Sequence, residues 1–268
     1  MKHIASATIA GTGPLLLLLA VASPAVAQST DAAPREQRRT RITLGPQVNP
    51  RYPGADSYRI SPFGNIDRAR GDDPFAFEAS DESTGLMLLD IGKLQIGPAL
   101  NFQGSRRRRD TDGALPRVGF TVEAGGAMQI PIGPALRLRA EARQGIGGHK
   151  GLIGSLSADY IARDADDWVF SVGPRLSLSN GRYQRAYFGV APADVLASNL
   201  SAFRPKGGIH AVGVSTSLVK HISGPWGVFG FARYDRLVDD AARSPVVRTY
   251  GSRNQLSGGL ALSYTFGR

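Results

Sequence analysis

Beyond residue 40, apolar residues recur at every second position through most of the chain. Ile42, Leu44, Pro46 and Val48 share one parity, as do Leu94, Ile96, Pro98, Leu100 and Phe102. Val118, Phe120, Val122 and Ala124 repeat the pattern, followed by Leu136, Leu138, Ala140 and Ala142, by Leu152, Leu156, Ala158 and Tyr160, and by Trp168, Phe170, Val172, Leu176 and Leu178. Successive residues of a strand point to opposite faces, so each run predicts a strand with one apolar face. The intervening positions carry Arg137, Arg139, Glu141 and Arg143, or Ser171, Arg175, Ser177 and Ser179. No segment beyond residue 27 approaches the roughly 18 consecutive apolar residues of a membrane-spanning helix.

Two architectures share this alternation. A soluble sandwich turns its apolar face inward, whereas a transmembrane barrel turns it to lipid and keeps the polar face in the lumen. Runs of about ten residues fit a tilted strand crossing a bilayer. Tyr160, Trp168, Trp226, Tyr234, Tyr264 and Phe266 lie near the ends of runs, where interfacial girdles sit. The chain closes on an alternating, aromatic-tipped segment, Leu260, Leu262, Tyr264 and Phe266, as expected of a last strand that pairs with the first to leave no open edge. The fold class predicted is all-β, an antiparallel up-and-down transmembrane barrel.

Hairpin follows hairpin, marked by the repeats Ile96-Gly-Pro-Ala-Leu100, Ile132-Gly-Pro-Ala-Leu136 and Val172-Gly-Pro-Arg-Leu176. Gly133-Pro134 and Gly224-Pro225 read as tight turns. Pro46, Pro98 and Pro174 read as bulges, because proline cannot donate to a ladder. Short turns belong at the periplasmic end and long connections outside. If Tyr183 to Val190 were a strand, the long loops 104–116 and 239–253 would fall on opposite sides, so 180–206 is read as one external loop. This places twelve strands near 40–48, 57–64, 74–80, 84–91, 94–103, 117–129, 135–144, 150–162, 168–179, 207–221, 225–238 and 254–266. Patterning is poorest in the second, third and fourth, which leaves ten as the alternative count.

Residues 1–27 read as a cleaved secretory leader, with Lys2, an apolar run and the small-residue box Ala25-Val26-Ala27. Residues 28–39 then form a periplasmic N-terminal segment and 40–268 the barrel. The absence of cysteine excludes disulfide staples, thiol catalysis and iron–sulfur chemistry. The formal charge of +10 calls for an anionic partner or a solvated basic surface; export argues against nucleic acid and leaves phosphate-rich surface lipid.

Several segments in order, Pro50-Arg-Tyr52-Pro-Gly54-Ala-Asp56-Ser-Tyr58, Arg70-Gly-Asp72, Gly147-Gly-His149-Lys-Gly151, Tyr187-Phe-Gly-Val190, Tyr234-Asp-Arg-Leu237 with Asp240-Ala-Ala-Arg-Ser244-Pro-Val-Val247, and Gly251-Ser-Arg-Asn-Gln255, resemble motifs of the MltA-interacting protein (MipA/OmpV) family. The resemblance implies a non-enzymatic protein of the outer membrane of a Gram-negative bacterium, without cofactor. It also implies a scaffold joining a murein-cleaving lytic transglycosylase to a murein-synthesising penicillin-binding protein. Other members are linked to adhesion, solute passage and antibiotic sensitivity. On this reading the segment 28–39 and the turns around 67–73 and 163–167 face the cell-wall enzymes; the alternative function is a small-solute channel with a charged lumen.

Arg106, Arg107, Arg108 and Arg109 are candidate contacts to lipopolysaccharide phosphates, since guanidinium offers bidentate geometry; the alternative is a solvated loop neutralised by Asp110 and Asp112. Arg137, Arg139, Glu141 and Arg143 are candidate lumen-lining residues. They either line an anion-preferring path or fill the interior by pairing with Glu123 and Asp159. Asp239 to Pro245 reads as a loop turn in which aspartates cap a helical turn and Pro245 ends it, or as a partner-recognition element. His221 and Ser223 have the spacing of an esterase pair but abut a turn at the periplasmic end, and His149 lacks a second ligand at metal spacing. No dinucleotide, Walker or nucleophile-elbow motif is present, so no catalytic, cofactor or metal residue is assigned.

Overall fold

The computed structural model describes residues 7–9 and 37–267. The wall is antiparallel: β1 Arg38–Pro50, β2 Tyr58–Arg70, β3 Leu89–Ile91, β4 Leu94–Gln103, β5 Thr121–Ile132, β6 Leu136–Gly147, β7 Leu152–Asp164, β8 Trp168–Ser179, β9 Gly208–Ser223, β10 Trp226–Leu237 and β11 Asn254–Phe266. Each wall strand from β3 to β10 pairs with its successor, and β1 pairs with β2. The last strand closes on the first, with Tyr264 opposite Ile42 and Phe266 opposite Thr40. Most of the expected leader and the segment 28–36 lie outside the described residues; Ala7–Ile9 pairs with Gly64–Ile66 on the far edge of β2. Among the described residues no ladder joins β2 to β3, which leaves a seam in the wall.

The burial of the wall is inverted relative to a water-soluble sheet. Along β6, Arg137, Arg139 and Glu141 are buried while Leu136 and Leu138 are exposed. Ile60 is 78% exposed, Leu260 74% and Leu44 63%. A continuous apolar exterior of this kind needs hydrocarbon around it, and a sheet satisfies its own backbone polar groups there. No helix among the described residues is long and apolar enough to cross a membrane.

Ten strands of the wall are full length and one, β3, spans three residues. The strand expected at 74–80 is absent from the wall. Instead the chain leaves the end of β2, enters the interior and turns back at Asp81 and Glu82. It returns along β4 through the bridge between Thr84 and Leu100 and the Leu88 N–H to Ile96 carbonyl bond, and rejoins the wall only at β3. The parity count survives because the excursion goes up and comes back. Gly85 and Gly97 permit the close approach of the returning arm: a Cβ on the first would lie 1.9 Å from the Pro98 carbonyl oxygen and one on the second 2.0 Å from that of Leu86.

Gly133 and Gly224 take left-handed backbone angles in the tight turns, as expected. Pro46, Pro98 and Pro174 do not form bulges; each sits in unshifted register, and Pro46 lies directly opposite Pro62. Register shifts occur instead between Ile209 and Ala211 and between His221 and Ser223.

The loop end carries a helical cap. It comprises α1 Gly181–Phe188, α2 Val195–Ser198, α3 Asp239–Arg243 and α4 Pro245–Tyr250. Residues 180–206 thus hold helices and no wall strand. Asn180 caps α1 by accepting the Tyr183 N–H, and Ser244 caps α4 by accepting the Val246 and Val247 N–H groups. Pro245 therefore opens a helix rather than ending one, and Asp239 and Asp240 sit in the first turn of α3 without capping it. Tyr52, Tyr183, Tyr187, Phe188, Leu237 and Val247 bury one apolar cluster under these helices.

The inverted wall predicts that Leu260→Arg, near mid-height of β11, costs about 2–4 kcal/mol when the protein is unfolded by urea from lipid vesicles. Ser263→Arg, on the inward parity, is not expected to follow that depth-dependent lipid cost; the comparison of midpoints checks the orientation.

Candidate functional site

The interior is filled by charge and aromatic packing. Asp81, at the tip of the re-entrant segment, accepts from Arg175 at 2.7 Å and from Arg233 at 2.7 Å. Glu82 pairs with Arg137 and lies 3.7 Å from Arg139. Asp159 bridges Arg137 and Arg175 at 2.8 and 2.7 Å, Arg139 pairs with Glu141 at 2.7 Å, and Arg143 pairs with Glu123 at 3.1 Å and with Glu141. The hydroxyl of Ser83 donates to Glu141. A charge removed from water is tolerated only when paired and hydrogen-bonded, and here each lumen arginine of β6, β8 and β10 meets a carboxylate.

The candidate lumen residues Arg137, Arg139, Glu141 and Arg143 thus share one network in which Glu123 and Asp159 take part. Missing from the sequence reading were Asp81 and Glu82. They fall between the strands expected at 74–80 and 84–91, where adjacent polar residues read as an ordinary turn. Beside the network, Phe63 stacks on Phe229 at 5.0 Å and packs with Phe231 at 5.5 Å, closing the part of the interior nearest β1 and β11.

Glu123 also accepts from Asn101 at 2.9 Å and contacts His149 Nε2 at 3.1 Å. The Gly151 N–H donates to His149 Nδ1 at 3.0 Å, so Nδ1 is the acceptor and Nε2 carries the proton given to Glu123. This explains a buried histidine without a metal. Among the described residues no group of three or more histidine and carboxylate side chains is arranged to hold one. His221 bonds the Gly224 carbonyl at 2.8 Å through Nε2, and no hydrogen bond joins it to Ser223.

At the end where β1 begins, three segments meet. Arg39 reaches Asp166 at 2.9 Å, the Gly71 carbonyl at 2.8 Å and the Asp73 carbonyl. Arg163 donates to the Phe75 and Ala165 carbonyls at 3.0 Å, and Asp166 accepts the Phe75 N–H at 3.0 Å. Arg41 pairs with Asp67 at 2.9 Å and lies 4.4 Å from the Phe75 ring centre. The re-entrant segment is therefore anchored at its root as well as its tip. The tip divides the interior into a vestibule of about 320 Å³ at the loop end and a chamber of about 600 Å³ at the opposite end.

Of the four candidate lipopolysaccharide contacts, Arg106 is corrected. It is buried, and its guanidinium donates to the Tyr187 and Pro116 carbonyls at 3.0 Å each, inside the cap. Arg107, Arg108 and Arg109 are exposed. Burial pushes the Tyr52 phenol up to about 12, keeping it the neutral donor that bonds the Tyr250 carbonyl at 3.2 Å. Around Asp240, the Lys206 N–H and Arg243 hold the carboxyl below its usual range, which ties α3 to the loop before β9.

An inverted antiparallel wall around a paired-charge interior defines a β-barrel protein of the outer-membrane type. The chain belongs to the family described as MltA-interacting protein MipA, whose model matches residues 42–266. No curated protein sequence matches it. Among solved structures it is similar to the TodX deltaS2S3 mutant monoaromatic hydrocarbon channel, at 10% identity, covering 88% of this chain and 91% of that one with a TM-score of 0.34. It is also similar to the CymD monoaromatic hydrocarbon channel, at 8% identity, 87% and 89% coverage and a TM-score of 0.35. A third, OccK8 (OprE) of Pseudomonas aeruginosa, shows 8% identity, 85% and 98% coverage and a TM-score of 0.29.

Two outcomes follow from this geometry. Asp81→Asn with Glu82→Gln strips counter-charge from four buried arginines, so unfolding in detergent is expected to be easier by at least about 3 kcal/mol; stepwise ion currents, rare for the parent in planar bilayers, are expected to become frequent. Arg106→Gln is expected to lower stability by about 1.5–3 kcal/mol and expose 180–206 to protease, whereas Arg107→Gln, Arg108→Gln and Arg109→Gln together leave both unchanged.

Proposed function

We propose that the protein is a non-conducting outer-membrane scaffold whose strand-terminal end faces the periplasm and receives murein-processing enzymes, a lytic transglycosylase among them and a penicillin-binding protein with it. The observation carrying this reading is the anchored re-entrant segment: a lumen crossed by paired charges and stacked phenylalanines gives a solute no continuous polar path. Family membership supports the partner class, because the family's name records an interaction with the enzyme MltA. The root of the plug adds a rigid surface. Turns 70–73 and 163–167 and the start of β1 are bonded to one another through Arg39, Arg163 and Asp166, so they form one preorganised patch. Preorganised surfaces lose less entropy on binding. At the other end, exposed Arg107, Arg108 and Arg109 suit lipopolysaccharide phosphates.

A second reading, passage of small solutes, is favoured by one observation: vestibule and chamber are separated by the tip of a single hairpin. The test has two arms. Purified protein in planar bilayers is expected to show no regular conductance steps, while affinity capture from envelope extracts in mild detergent is expected to recover a murein hydrolase that is lost with Arg39→Ala and Asp166→Ala. Large anion-selective steps, or capture unaffected by these changes and by removal of 28–36, would reverse the choice.

A further inference from the structure

The chamber at the strand-terminal end is strongly cationic. Seven arginines border it against three carboxylates. Arg39, Arg137, Arg139 and Arg163 are engaged in the contacts described above, but among the described residues the side chains of Arg38, Arg68 and Arg70 make no ion pair or hydrogen bond. Arg38 lies directly opposite Arg70 in the β1–β2 ladder, and Arg68 opposite Thr40. Like charges facing each other across a ladder are unfavourable, so an anion between them would relieve the pair.

The position of these residues relative to the wall is equally informative. Arg68 and Arg70 share the parity of Ile60 and Ile66, the lipid-facing side of β2, yet they border the chamber, which therefore reaches round the edge of β2 beyond Ile66, where the pairing with Ala7–Ile9 ends. Across the seam the returning arm alternates: Leu86 and Leu88 are exposed, while Met87 borders the chamber. Apolar lining comes from Phe75, Ala76, Phe77 and Pro131, and buried Arg137 and Arg139, already paired, complete the wall. Unpaired arginines on one side, apolar lining from Phe75, Phe77 and Met87 on another and an opening past the edge of β2 make an amphipathic cavity. Its volume of about 600 Å³ falls within the ordinary range of ligand pockets, about 300–1,000 Å³.

We propose that this chamber binds an anionic phospholipid of the adjoining leaflet, its phosphate held by Arg38, Arg68 and Arg70 and one acyl chain passing through the β2–β3 seam to lie against Phe77 and Met87. Guanidinium groups suit a phosphate because they donate in pairs and are weakly hydrated. The site is independent of whether the protein scaffolds enzymes or conducts solutes.

The test uses the processed full chain in neutral detergent carrying Met87→Trp, titrated with phosphatidylglycerol or phosphatidylcholine bearing brominated acyl chains, which quench tryptophan on contact; the unsubstituted chain sets the background from Trp168 and Trp226. Quenching is expected at concentrations at least about tenfold lower for phosphatidylglycerol, because the quaternary ammonium of phosphatidylcholine brings a like charge to the same arginines. Soluble glycerol phosphate is expected to compete only weakly. Arg38→Gln, Arg68→Gln and Arg70→Gln together are expected to abolish the preference; should that variant fail to fold, Arg70→Gln alone is expected to reduce it. Equal quenching by both lipids, displacement by glycerol phosphate at lipid-like concentrations, or a preference that survives the arginine changes would each overturn the proposal.

Discussion

Burying a guanidinium in a small barrel requires a carboxylate within hydrogen-bond reach, and the architecture follows from where this chain finds its carboxylates. The wall strands supply Glu123, Glu141, Asp159 and Asp235, which serve the arginines nearest to them. Arg137 and Arg175 share the single carboxylate Asp159, Arg233 has Asp235, and each also reaches a second carboxylate that the wall does not provide. Asp81 and Glu82 provide it, and to do so the segment carrying them must leave the sheet. The cost to the wall is a full-length neighbour for β2, hence the seam, and the returning arm compensates by packing close to β4 at Gly85 and Gly97. Plug, seam and amphipathic chamber are thus three aspects of one electrostatic requirement.

The two ends are held by different physics. At the loop end, Tyr52, Tyr187, Phe188 and Val247 bury an apolar cluster beneath capped helices, and Arg106 is satisfied by carbonyls. At the strand-terminal end, ion pairs and carbonyl contacts to Arg39 and Arg163 dominate. A surface built from packed apolar groups resists salt, whereas one built from exposed charges is screened by it.

Much of the wall was legible in the alternation itself. The parity of Leu136 to Arg143 fixes which side of β6 is oily, and the long loops could be placed on one side only if 183–190 were not a strand, as α1 bears out. The failure at 74–80 has a physical origin. Phe75, Phe77 and Ala79 alternate with Ala76, Glu78 and Ser80 as a wall strand would, because an extended segment packed inside a lumen also has two unlike faces. Periodicity reports the pleat and not the neighbour. The burial of Arg106 was equally invisible: within a run of four arginines only tertiary contacts distinguish the one that reaches the Tyr187 carbonyl, 81 residues away. The prolines misled in another way, since a missing donor can leave a gap in a ladder without shifting its register, as at Pro46.

The plug also bears on how such a chain assembles. Asp81 and Arg233 are 152 residues apart, so the tip cannot be locked until nearly the whole polypeptide is in place. Closing so long a loop is entropically unfavourable and slow compared with zipping adjacent hairpins. Full locking of the tip therefore waits on β10: until Arg233 arrives, Asp81 holds one of its two guanidinium partners, Arg175, and its neutralisation is half complete.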